Sequence, residues 1–150
     1  MKGFTLIELL LVIGMMAIVA GMSVPFFQTF QVSSDLYTNT NTIVKTLDRA
    51  RQQAISGQNN SDWGVYFAND VKKVILFKGS NYASRQVDYD QEIVYSKPFN
   101  LTADFGSEVS FSVYSGKASK TGTISLSSQN NETKKIIIKD LGLIQIDNGS

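Results

Sequence analysis

The chain has 150 residues, sets 14 Lys and Arg against 13 Asp and Glu, and contains neither histidine nor cysteine. That composition excludes disulfides, Cys–His nucleophile pairs, histidine general bases and most zinc, copper and haem sites. Beyond Gly57, ten basic residues meet ten acidic ones, so there is no basic field to draw nucleic acid or an anionic membrane surface.

The first element is an apolar run from Phe4 to Phe27 in which Glu8 is the only charge. Its roughly 24 residues would make about 36 Å of helix, enough to cross a bilayer core of about 30 Å. Lys2 precedes the run and no further cation follows until Lys45. The positive-inside rule therefore predicts an N-terminus in the cytoplasm and the rest of the chain across the membrane. A charge at that depth costs on the order of 3 kcal/mol or more unless it is paired, which makes Glu8 a candidate functional residue by default.

From residue 28 to 57 the helical pattern continues with a changed surface. Val32, Leu36, Ile43, Leu47, Ala50 and Ala54 recur at spacings of three, four and seven, with Asp35, Thr38, Lys45, Asp48, Arg49 and Gln52 between them. That is one apolar stripe on a helix of period 3.6. Pro25 cannot donate its backbone bond and predicts a bend there. Gly57 is a natural stop. One helix is expected from about Phe4 to Ser56.

Residues 58–150 switch to period two. Trp63, Val65 and Phe67 alternate with Gly64, Tyr66 and Ala68, and Val109, Phe111 and Val113 with Ser110, Ser112 and Tyr114. Further short runs lie at Gly122–Ser127, Lys134–Lys139 and Leu143–Ile146, with turn-formers at residues 68–70, 78–81, 115–117 and 129–131. The expected fold class is α+β: a long N-terminal helix, apolar throughout and then one-faced, packed on a mostly antiparallel β-sheet head.

Met-Lys-Gly, then Phe-Thr-Leu-Ile-Glu and an apolar helix, resembles the signal of type IV prepilins and pseudopilins over Lys2 to Pro25. The resemblance implies a three-residue leader (1–3) removed by a membrane peptidase after Gly3, and N-methylation of Phe4. It implies a membrane and filament-core helix (4–27), kinked at Pro25, and an amphipathic helix half (28–57) carrying the head (58–150). In that family the glutamate at the position of Glu8 meets the N-terminal amine of a neighbouring subunit. An ammonium at Phe4 would give Glu8 a counter-ion of matching depth and make it a register device for packed helices. Gly14 and Gly21 add small surfaces for close helix approach.

Partners implied are other pilin or pseudopilin subunits, the prepilin peptidase and methyltransferase, an inner-membrane assembly platform, and the lipid bilayer before assembly. The implied location is the inner membrane and then a pilus or pseudopilus. Two other readings of the first 25 residues stay open. One is an ordinary secretory signal, with cleavage near residues 18–23; the other is a plain signal anchor.

Ala50-Arg51-Gln52-Gln53-Ala54-Ile55 followed by Trp63-Gly64-Val65 is similar to the GspH/FimT group of minor pilins and pseudopilins. Some members bind DNA through Gly-Arg-x-Arg near the C-terminus. The matching stretch here is Gly142-Leu143-Ile144-Gln145, which lacks both arginines, so nucleic acid is not an expected partner. The expected role is that of a structural subunit, not an enzyme, with a tip subunit binding DNA or secreted cargo as the alternative. No cofactor is expected. Asp88, Asp90 and Glu92, two apart, would share one face of a regular strand and form a weak calcium candidate.

Overall fold

The computed structural model describes residues 3–95 and 99–147, and of residues 22–29 the backbone alone. It divides into two compact units, Met1–Ser34 and Asp35–Ser150. Helix α1, Leu6–Ile55, supplies all the regular structure of the first unit and continues into the second. Lys2 lies outside the described residues, and so does the side chain of Pro25, where a bend is expected.

In the second unit the α1 stripe is buried: Leu36, Ile43, Leu47, Ala50 and Ala54 are each no more than 1 % exposed. Val32, before the boundary, is only half-buried. Thr40 completes the row, so the buried positions step by four and three alternately from Leu36 to Ala54. A threonine belongs there because its hydroxyl donates to the Leu36 carbonyl at 2.7 Å. The helix thus satisfies its own buried polar group, and burial carries no orphan-donor penalty. Thr46 repeats the device, donating to the Thr42 carbonyl at 2.8 Å.

Eight strands follow: β1 (Trp63–Ala68), β2 (Lys73–Lys78), β3 (Gln86–Val94), β4 (Asn100–Ala103), β5 (Glu108–Phe111), β6 (Gly122–Ser127), β7 (Thr133–Ile138) and β8 (Ile144–Asp147). They form two four-stranded sheets, ordered β3-β2-β1-β5 and β4-β6-β7-β8, and every pairing is antiparallel. Trp63, Val65, Phe67, Val74, Leu76, Val109 and Phe111 of the first sheet join Leu101, Ile124, Leu126, Ile136 and Ile138 of the second in one core with the helix stripe. Each such large side chain contributes about 1.5–3 kcal/mol by leaving water.

The helix-and-antiparallel-sheet class holds, with two sheets where the period-two runs point to one. Strands β2, β3 and β4 are not among the runs read from the sequence. Val74, Ile75, Leu76 and Phe77 are all buried, so β2 shows no alternation. β5 stops at Phe111, two residues short of Val113. There the Asp62 carboxylate takes the Val113 amide at 2.8 Å and Tyr114 enters the left-handed region at φ 62.

Candidate functional site

At the N-terminal end, Thr5 caps α1. Its carbonyl accepts from the amides of Glu8 (3.1 Å) and Leu9 (3.2 Å), and its Oγ1 accepts from the Glu8 amide at 3.4 Å. Thr5-Leu6-Ile7-Glu8 therefore has the threonine-to-glutamate spacing of a capping box. That spacing is legible in the residues themselves, Thr5 and Glu8 standing three apart at the head of the apolar run. A first-turn carboxylate also sits at the positive end of the helix dipole, worth about 0.3–1 kcal/mol where exposed. Glu8 thus has a local stabilising role that needs no second chain.

Every described side chain from Phe4 to Gly21 is exposed, with Phe4 at 82 % and Leu6 at 79 %. A helix segment that exposes apolar side chains all round is not stable in water and implies another medium or a partner. Among the described residues no helix is long and apolar enough to cross a membrane; the expected span, 4–27, runs into residues 22–29, whose side chains lie outside the described set. A Cβ placed on Gly14 or Gly21 would meet nothing within 4 Å.

In the head, Asp88, Asp90 and Glu92 do not converge. Between the partners Leu76↔Gln91 and Lys78↔Gln86, a two-residue step on β2 is matched by five residues on β3. The bulge lies between Gln86 and Gln91, and the acidic side chains are engaged separately. Asp90 instead takes Arg85 Nε at 2.7 Å, and Glu92 takes Lys73 Nζ at 2.6 Å. Asp88 is exposed. Among the described residues no group of three or more acidic side chains is placed to hold a metal ion.

Arg85 also lies 3.7 Å over the ring of Tyr82, which stacks at 3.8 Å on Tyr66. The hydrogen bond to Asp90 holds the Arg85 guanidinium still more firmly protonated. Tyr82 packs edge-on to Phe77, and its amide donates to Glu108 at 2.8 Å. The β2–β3 connection is thereby fastened over the outer face of its own sheet.

The turn corresponding to the DNA-binding motif contains Gly142, at φ 72. Beside it lies Arg51 of α1, whose Nη2 donates to the Leu141 carbonyl at 3.4 Å while Nε is buried without a partner. The arginine near this turn therefore comes from the helix and is packed inward. One further feature was not read from the sequence, a cleft of about 190 Å3 lined by Thr42, Lys45, Thr46 and Arg49 of α1 with Leu76 and Ile93.

No protein-family model matches the chain, and no curated protein matches it either. Among solved structures it is similar to the minor pseudopilin EpsH from the type 2 secretion system of Vibrio cholerae, with a TM-score of 0.58. The two are 13 % identical, over 75 % of this chain and 95 % of that one. The fold is that of a pseudopilin. The likeness is one of architecture, since so few residues are shared. In this chain the helix stripe buried against the β strands is the row Leu36–Ala54.

Proposed function

We propose that this protein is a structural subunit, a minor pilin or pseudopilin, of a type IV pilus or type II secretion pseudopilus. The observation that carries the reading is an apolar segment with one carboxylate, Glu8, exposed at every described side chain from Phe4 to Gly21, followed in the chain by a head of pseudopilin fold. The chain begins as a single-pass inner-membrane protein with its N-terminus in the cytoplasm. A prepilin peptidase cuts between Gly3 and Phe4, and Phe4 is N-methylated. Other subunits and the inner-membrane platform then receive residues 4–27 into a filament core, where Glu8 pairs with a neighbour's amine.

The pairing follows from charge and depth. An ammonium at Phe4 and a carboxylate at Glu8 are each costly in an apolar medium, and a subunit out of register leaves both unmatched. The work is assembly, with no substrate turned over. The alternative, a tip subunit binding DNA or secreted cargo, is not favoured by residues 142–145, which carry no arginine.

Mass spectrometry of the chain recovered from membranes tests the reading. A mature N-terminus at methylated Phe4 is the expected result. One near Gly21 would identify a secretory signal, and an intact Met1 a plain anchor; either overturns the proposal.

A further inference from the structure

The cleft beside α1 coincides with a free sheet edge. Strand β3 is the outer strand of its sheet and pairs with β2 alone. Its other side presents backbone donors and acceptors with no ladder partner among the described residues, an arrangement that accepts an added strand. Ile93 and Gln91 lie on the helix-facing side, opposite the buried Val74 and Leu76. An extended segment laid along β3 would therefore point alternate side chains at the cleft.

The mouth of that cleft is cationic. Lys45 and Arg49 are both exposed and stand one helical turn apart on the same face. Like charges at this spacing repel, so the pair is not there to support the helix. Neither Lys45 nor Arg49 takes part in the ion pairs Lys73–Glu92, Arg85–Asp90 and Lys117–Asp140. Asp48, next to Arg49, is half-buried and its field is set against Arg51. The floor, from Leu76 and Ile93, is apolar, and the Thr42 and Thr46 hydroxyls donate inward to helix carbonyls.

We propose that β3 and the adjoining α1 face bind an extended acidic segment of a partner protein, its backbone joining the β3 edge and its carboxylates meeting Lys45 and Arg49. The backbone bonds give affinity without regard to sequence. The two cations select acidic side chains at alternate positions, those that face the helix. This surface belongs to the head, so it stands or falls independently of how residues 4–27 are processed.

The test uses the full chain in detergent micelles and two fluorescent nine-residue peptides, matching the nine residues of β3. One alternates glutamate with valine, the other lysine with valine. Anisotropy should rise with the glutamate peptide only, and the affinity should fall with added salt. Lys45→Gln with Arg49→Gln should weaken binding about tenfold or more, the loss expected for removing charge-assisted contacts. Lys45→Glu with Arg49→Glu should transfer the preference to the lysine peptide, which a merely unfolded variant could not do. Amide exchange should slow in β3 when the peptide is added. Failure of the glutamate peptide to bind, equal binding by the glutamine variant, or protection confined to another strand would each overturn the proposal.

Discussion

Gly142 stands over Arg51: a Cβ added at residue 142 would collide with the Gly116 carbonyl oxygen and lie 2.9 Å from Arg51 Nε. The helix and two turns, around residues 116 and 142, meet at this point, and no side chain at residue 142 can fit between them.

Gly142→Ala should therefore destabilise the head by about 2–5 kcal/mol, combining a left-handed conformation unsuited to alanine with overpacking. Urea denaturation followed by circular dichroism measures it. An unchanged midpoint would show that the turn yields freely and that Arg51 does not hold it.

The two roles open to Glu8 can be separated. Glutamine also serves in a capping box, so Glu8→Gln keeps the helix start and removes the charge. Filament assembly should fail for Glu8→Gln and for Glu8→Ala alike. Thr5→Ala should cost about 1 kcal/mol of helix stability and still assemble. If the glutamine variant forms filaments at the wild-type level, the role of Glu8 is local capping and the register argument is wrong.

Gly14 offers a test of close helix approach. Nothing stands within 4 Å of a Cβ there, and alanine is favoured over glycine in a helix by about 1 kcal/mol. Gly14→Ala should thus strengthen the isolated helix while reducing filament yield. Wild-type yield from this variant would mean that no neighbouring helix packs against residue 14.

Burial lifts the Asp48 carboxyl above its ordinary 3.8, and the charge of Arg51 offsets only part of the rise. The folded chain then binds that proton more tightly than the unfolded chain, so the ionised group weakens folding at neutral pH. The penalty fades as the pH falls through the raised value and is gone below about 3.8. Asp48→Asn should raise the denaturation midpoint at neutral pH, and the gain should disappear in acid. A gain that persists in acid would assign the effect to something other than charge burial.

The sequence disclosed what periodicity encodes. The α1 stripe is legible because each buried position falls on one helical face, and β1 because Trp63, Val65 and Phe67 alternate with their neighbours. β2 was hidden because both its faces are covered, leaving a continuous apolar run that period two does not detect. The carboxylates of β3 illustrate the converse: a spacing of two suggests a shared face but does not record what each side chain meets there, and Arg85 and Lys73 take Asp90 and Glu92 separately. Thr40 escaped because hydropathy counts a hydroxyl as polar, although the helix supplies its acceptor at the Leu36 carbonyl. The cleft at Lys45 and Arg49 depends on what lies across from the helix, which no local pattern records.

Gly64 has a consequence that reaches across its sheet. A side chain there would collide with the ring of Phe77, and it is into this vacant place that the ring is set, 0 % exposed on the side away from the helix, beneath Tyr82. Helix α1 roofs one side of the β1–β2 pair and the chain's own hairpin connection roofs the other. What the sheet can still offer a newcomer is a line of backbone along its rim, so recognition there must be spelled out one residue at a time, in the alternating grammar of a single strand.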